Sequence, residues 1–487
     1  MNDTKQEHHL ATQYNAYDGL EPAQGIFCNR TLNFRSIRAI GYDMDYTLVH
    51  YNVNEWEARA YYHIKQRLYS EDWPVEDLTF EPQRVTRGLV IDLELGNIVK
   101  ANRFGYIKQA THGCQPMEYG DMRDAYTRTL VELSDSRWIF LNTLFSISAA
   151  TIYCQLVDKL DAGDLPGVHS YETLYDKVQK TLDAAHLEGV LKSEIMADPQ
   201  RYVELDPEMP LALLDQKRAG KRLILITNSE YYYTRFMMSY AFDKFLPDKM
   251  TWKDLFEIKV VSARKPSFFE GDNAIFRVIN REGHLEPVNG PLEEGGIYLG
   301  GNAGMIERYL GVEGDRILYV GDHLFADVNV SKSVLRWRTA LVMRELEDEL
   351  QAIASSEQRQ TLISEMMDRK IQLEDRYSQL RLERQRNLEG YGPQTDRDPE
   401  MLQQKMKKLR EQLVDLDDRI RPLVIRDGQD FNEFWGYLMR AGNDKSHLTR
   451  QVERYADIYL SRVSNFLRYT PFMYFRAPRG SLPHDEG

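Results

Sequence analysis

A chain of 487 residues is too long for one simple core, so two or three domains are expected. Its 62 Lys and Arg against 75 Asp and Glu leave a net charge of −13. That balance excludes general binding to nucleic acid or to an anionic membrane surface, both of which need a basic face, but not an anionic small substrate in a locally positive pocket.

The N-terminal stretch MNDTKQEHHLATQ is polar and has no signal-peptide pattern. Three cysteines, Cys28, Cys114 and Cys154, lie far apart without CxxC spacing, which fits unpaired thiols in a reducing compartment and gives no zinc signature. A soluble, cytoplasmic protein is expected. The first apolar run, SIRAIGYDMD, predicts a strand that ends at Asp43 and Asp45, with Thr47 close behind. Alternate side chains of a strand share a face, so the two carboxylates would point the same way. Such a pair is best tolerated around a cation or a reacting centre.

The uncharged stretch WIFLNTLFSISAATIYCQLV, residues 138–157, is long enough to span a bilayer. Its Asn142, Thr143, Ser146, Ser148, Thr151 and Gln155 are costly in lipid, so it predicts a buried helix or pocket wall. Next, KRLILITNSE predicts a strand ending at Thr227, Asn228 and Ser229, followed by a helix at EYYYTRFMMSYAF. FEIKVV precedes Lys265 in SARKPSFF. DRILYVGDHLFAD predicts a strand ending at Asp322, with Asp327 five residues on, and WRTALVM follows at 337–343.

Alternating buried strands and helices imply an α/β fold with a parallel sheet. Ligands bind such sheets beyond the carboxyl ends of the strands, where the polar clusters would gather. The long interval between Asp45 and Thr227 requires an inserted domain, 58–208, within a discontinuous core, 25–57 and 209–343. Residues 344–425 read as a charged antiparallel helical hairpin, broken by Gly and Pro in EGYGPQTDRDPE. Leu402, Met406, Leu409, Leu413, Leu416 and Ile420 form a heptad seam that fits packing within its own domain or a subunit contact equally. Residues 426–487 are expected to be a helical segment packed on the core.

Phosphoryl transfer through a covalent intermediate needs a nucleophile, an acid/base, a divalent cation and donors for the phosphate oxygens. Asp43 can attack phosphorus. Asp45 can protonate the leaving alcohol and then activate water. Asp322 can complete a magnesium site. Thr227, Asn228 and Ser229 offer donors at a helix N-terminus, and Lys265 a fixed ammonium for the transition state. Each motif alone is common; a DxD after a strand is more often a turn. Their order, DxDxT, then TN, then K, then GDxxxxD, each after an apolar run, is specific.

That order resembles the haloacid dehalogenase-like phosphohydrolases. DMDYTL, TNSEYYYT, ARKPSFF, LYVGDHLFADV, LNTLFS and RQVERYADIYLSRVSNFLRYTPFMYFRAP further resemble the cytosolic purine 5′-nucleotidases that prefer IMP and GMP, from about residue 25 to 480. The resemblance implies a Rossmannoid core with a large inserted cap, Asp43 as nucleophile and Asp45 as acid/base. It implies Mg²⁺ held by Asp43, Asp322 and the Asp45 carbonyl, with Asp327 as a supporting acid. It places phosphate at Thr227, Ser229 and Lys265, with Asn228 between, and a purine stacked on Phe145. Asp183, His186 and Lys192 match substrate positions, and Gln179 stands where the family commonly has an arginine. A regulatory nucleotide site is implied at Asn142, Phe325, Gln451, Arg454 and Tyr455, with Ser333 where a lysine is expected. Read without the resemblance, Phe145 is a core aromatic, His186 a helix-surface histidine, Asp183 a solvated charge, and Arg454 and Tyr455 part of an amphipathic helix.

The expected activity is Mg²⁺-dependent hydrolysis of purine nucleoside 5′-monophosphates, with transfer of the phosphoryl group to a second nucleoside as an accompanying reaction. A homo-oligomer, with no nucleic-acid or membrane partner, is expected. The alternatives are the same chemistry on another ester, such as a sugar phosphate, or a nucleotide-sensing scaffold.

Overall fold

The computed structural model describes residues 20–480 except 188 and 248, and only the backbone of His186, Leu187 and Ile425. The N-terminal stretch read for a targeting signal therefore lies outside the described residues. The core is a sheet in the strand order 26–28, 458–460, 338–342, 317–321, 39–42, 222–226, 258–261, 297–300, 275–278, 285–287. The strands from 458–460 to 297–300 run parallel, and the flanking pairings are antiparallel. This is the α/β class that the apolar runs predicted. Strands buried on both faces need no polar alternation, so Ala39–Tyr42 and Ile317–Gly321 are buried at every position.

Strand Ala39–Tyr42 lies between Ile317–Gly321 and Arg222–Ile226, with Tyr42 level with Val320 on one side and Leu225 on the other. Ile258–Val261 is next along. All four chains leave the sheet at the same edge, which gathers Asp43, Thr227, Lys265 and Asp322. Gly41 is required by packing: a Cβ there would stand 2.8 Å from the Tyr319 ring. That ring packs against Phe269 and Trp337, with centroids 5.1 and 6.1 Å away.

Between Asp45 and Thr227 the chain forms a five-stranded antiparallel sheet and the helices Val53–Ser70, Ile147–Asp161, Tyr171–Leu187 and Val190–Ala197. The stretch 138–157 is a strand, Trp138–Phe140, a single turn, Leu144–Ser146, and the start of a buried helix. No helix among the described residues is long and apolar enough to cross a membrane.

Residues 348–437 form a separate compact unit. Helix Pro399–Gln429 lies against helix Glu357–Glu389, and Leu402, Leu409, Leu416 and Ile420 bury against Met366, Leu373 and Leu380. The hairpin thus fills its own heptad seam. Asp398 caps the second helix by accepting from the Glu400 N–H, with Pro399 at its first position.

The segment 426–487, expected to be helical, also supplies strand Ile458–Leu460 to the core sheet after helix His447–Tyr455. Three residues are too few for periodicity to register, and tertiary pairing decides their conformation. Asp457 fixes the strand: its buried carboxylate accepts from Lys332 at 2.6 Å and Arg338 at 2.9 Å.

Candidate active site

Asp43 follows the buried strand, and its N–H continues the ladder by donating to the Val320 carbonyl at 2.9 Å. The chain then turns at Tyr46, whose φ of 54° lies in the left-handed region. This turn sends the two acids to different partners. Lys265 Nζ lies 2.8 Å from Asp43 Oδ1 and 2.7 Å from Asp327 Oδ1. Asp45 instead accepts from Ser229 Oγ at 2.6 Å and from the Tyr51 hydroxyl at 2.5 Å. Both acids nevertheless line one cavity of about 460 Å³.

Carboxylate oxygens of Asp43, Asp322 and Asp327 lie within 4.8 Å of one another. Asp322 Oδ2 is buried and has no hydrogen-bond partner among the described residues. Asp327 Oδ2 accepts from the His323 N–H at 3.2 Å, and Gly321 leaves room for that carboxylate, which would stand 2.4 Å from a Cβ. All the donors are hard oxygens with an uncompensated lone pair among them, so the cluster fits a hard divalent cation. The Asp45 side chain is not part of it, and its backbone carbonyl is the group that the expectation assigned.

The electrostatics follow from burial. Desolvation pushes the Asp43 carboxyl up to about 6, with Lys265 opposing and Asp327 adding to the rise. Asp45 is raised by burial against the pull of Lys192, and Asp322 is raised well above the usual range by burial and its two acidic neighbours. Burial disfavours the Lys265 charge, yet Asp327 and Asp43 outweigh it and hold the ammonium charged. His323, lowered to about 4 by burial and by Lys265 and Arg87, is neutral.

Asn228 braces Lys265: its amide oxygen accepts from the Lys265 N–H at 2.6 Å and its amide nitrogen donates to the Lys265 carbonyl at 3.1 Å. Asn228 and Ser229 line the cavity. Thr227 is fully buried, and its hydroxyl oxygen accepts from the Ser229 N–H at 3.0 Å.

Phe145, Gln179, Asp183 and Lys192 line the same cavity. Phe145 stands edge-on to Tyr46 at 4.7 Å and to Trp56 at 5.6 Å between centroids. Gln179 Nε2 donates to Asp183 Oδ1 at 3.0 Å, one helical turn on. Lys192 pairs with Glu230 at 2.5 Å. The His186 side chain lies outside the described part of the structure. The sequence reading missed Trp56, Tyr51 and His323. His323 sits next to Asp322 and could have been found by adjacency, whereas no local pattern marks Trp56 or Tyr51.

A second cavity, of about 610 Å³, is lined by Phe325, Gln451, Arg454 and Tyr455 among others. Asn142 does not line it; its amide donates to the Phe140 carbonyl at 3.3 Å. Ser333 bonds to Asn329 at 2.8 Å, and Asn329 does line it.

A model of the 5′ nucleotidase family matches residues 26–487. A 5′-nucleotidase domain-containing protein of Dictyostelium discoideum is 25% identical over 483 residues, covering 96% of this chain and 75% of that protein. Among solved structures, an archaeal beta-phosphoglucomutase from a Pyrococcus species is 12% identical with a TM-score of 0.30, over 63% of this chain and 87% of that one. A predicted phosphoglycolate phosphatase from Haemophilus somnus is 14% identical with a TM-score of 0.28, over 63% and 86%. These two scores are too low to add to the fold read from the sheet itself. The family match spans nearly the whole chain, so this protein belongs to the 5′ nucleotidase family and is a 5′-nucleotidase, a phosphoric monoester hydrolase.

Proposed function

We propose that the enzyme hydrolyses purine nucleoside 5′-monophosphates, IMP and GMP foremost, with Mg²⁺ and through an aspartyl-phosphate at Asp43. The observation that supports this reading is the single cavity that the acid cluster lines together with the Phe145 ring and the amide–carboxylate pair Gln179 and Asp183. A carboxylate accepts from the ring N–H of a 6-oxopurine, and adenine has no hydrogen at that nitrogen. The Gln179 amide can donate to the 6-oxo group.

The Asp43 carboxylate attacks phosphorus and the bond to the 5′-oxygen breaks. Asp45, raised by burial, gives that oxygen its proton, then takes one from the water that cleaves the acyl phosphate. Ser229 and Tyr51 orient Asp45 through this exchange. Lys265, braced by Asn228, meets the negative charge of the phosphoryl oxygens. Asp43, Asp322 and the Asp45 carbonyl would hold magnesium, which supplies positive charge against those same oxygens. A second nucleoside in place of water makes the reaction a transfer. The second cavity, with Arg454 among its polar side chains and Phe325 and Tyr455 for stacking, is proposed to take a nucleotide effector.

The test is phosphate release from IMP, GMP, AMP, a pyrimidine nucleotide and a sugar phosphate, with and without Mg²⁺. Purine monophosphates should lead, and chelation should abolish turnover. Asp43→Asn should remove at least about three orders of magnitude in rate without unfolding the protein. A variant that keeps a tenth of the activity sinks the nucleophile assignment, and a preference for the sugar phosphate sinks the substrate class.

A further inference from the structure

Arg87 belongs to the segment before strand Val90–Asp92 and is 2% exposed. The mechanism above does not use it, and no motif in the sequence singles it out. Its guanidinium bridges two parts of the core: Nη2 donates to Glu345 Oε2 at 2.7 Å and Nη1 to the Asp322 backbone carbonyl at 3.1 Å. Glu345 alone would neutralise the buried charge. The second bond reaches the main chain of the residue whose carboxylate faces the acid cluster. Asp322 lies one residue beyond strand Ile317–Gly321, so its carbonyl has left the sheet ladder and takes its donor from Arg87.

The other end of the bridge is also fixed. The Gly88 N–H donates to the Leu141 carbonyl at 2.7 Å, and the Leu141 N–H returns to Leu89 at 2.9 Å. Leu141 is two residues from Thr143, and Thr143 and Phe145 line the substrate cavity. A path of backbone segments joined by hydrogen bonds therefore runs from the wall of the cavity, through Arg87, to Asp322.

We propose that Arg87 is a positioning residue: it fixes the Asp322 main chain so that the carboxylate is presented for cation binding, and it makes the cation affinity of the core depend on a residue of the inserted region. This rests on the reading of Asp322 as a cation ligand. The planar fork is the feature that matters, because it presents separate nitrogens rigidly to Glu345 and to Asp322, where an ammonium has one nitrogen on a flexible stem.

The test is Mg²⁺ binding followed by calorimetry without substrate, on wild type, Arg87→Lys, the charge-free pair Arg87→Met with Glu345→Gln, and Asp322→Asn. The proposal expects the Arg87 variants that fold to bind Mg²⁺ at least about tenfold more weakly, and kcat at saturating Mg²⁺ to fall less than the affinity does. A folded Arg87 variant with wild-type Mg²⁺ affinity overturns it, provided that Asp322→Asn has lost affinity. If Asp322→Asn binds as wild type does, the ligand reading itself has failed. A measurement on the unaltered protein stands beside these should the variants not fold. Linkage requires Mg²⁺ to slow hydrogen exchange at the Gly88 and Leu141 amides, and exchange there that is indifferent to Mg²⁺ overturns the proposal.

Discussion

Asn228 and Lys265 are joined in both directions, amide oxygen to backbone N–H and amide nitrogen to backbone carbonyl. The lysine proposed to meet the phosphoryl group is therefore held by its main chain, and its side chain is left to span Asp43 and Asp327. Asn228→Asp keeps the shape and the acceptor but loses the donor, and it sets a carboxylate against a carbonyl. Its kcat/KM should fall roughly ten- to a hundredfold for a nucleotide and for p-nitrophenyl phosphate alike, because the displaced lysine serves the group they share. Steady-state assays with both substrates decide it; a loss confined to the nucleotide would mean that Asn228 reads the nucleoside.

Phe145 should give the opposite pattern. Phe145→Ala should weaken use of a purine nucleotide by about 1–3 kcal/mol, the scale of base–aromatic stacking. Hydrolysis of p-nitrophenyl phosphate, which has no base, should change little. Equal losses on both substrates would mark Phe145 as a packing partner of Tyr46 and Trp56 alone.

At position 179 an amide can donate to or accept from a base edge but carries no charge. Gln179→Arg should raise the ratio of IMP to AMP hydrolysis by roughly tenfold, since a charged donor favours a 6-oxo group over an amino group. Competition assays on the two monophosphates measure the ratio directly, and an unmoved ratio places the base edge elsewhere.

Glu57 supplies a pH dependence that lies outside the acid cluster. Its carboxyl is fully buried, accepts from the Ser148 N–H at 2.8 Å, and is pushed by burial from 4.5 to about 7. Between those values the folded protein keeps a proton that the unfolded chain has released. Stability from this group is thus complete below pH 4.5 and is lost as the pH rises through about 7, by up to about 3 kcal/mol. Glu57→Gln mimics the neutral acid at every pH. Its melting temperature should gain on wild type between pH 5 and pH 8, and a constant difference would assign the dependence to another group.

Much of the site was legible because burial on both faces writes a strand as an uninterrupted apolar run, and a carboxylate directly after such a run stands out. Asp43 and Asp322 were found in this way, as were Asn228, Ser229 and Lys265. What a strand pattern cannot convey is the turn that follows. The left-handed Tyr46 separates Asp45 from Asp43 and gives it Ser229 and Tyr51 as partners, although alternation alone put both acids on one face. Residues that reach the site from a distance, such as Trp56 and Arg87, carry no local signal. The heptad seam was legible as a seam, but its period is the same for any partner, and only the structure shows that Met366, Leu373 and Leu380 fill it. Arginine's absence at 179 was visible in the sequence, whereas the bond from Gln179 to Asp183 was not.

The antiparallel pairing of Ile26–Cys28 with Ile458–Leu460 has a consequence for how the molecule is made. The same corner bonds the Ile26 N–H to the Tyr469 hydroxyl, 443 positions along the chain. Strand Ala39–Tyr42 is synthesised well before its neighbour Ile317–Gly321; Arg338–Val342 follows that, and Ile458–Leu460 comes more than four hundred residues after Ala39–Tyr42. Loops this long close slowly, and until they close the nascent sheet carries an unpaired edge. A polypeptide halted before residue 458 exposes Arg338–Val342 along the side that Ile458–Leu460 covers, an edge on which neighbouring nascent chains can pair with one another.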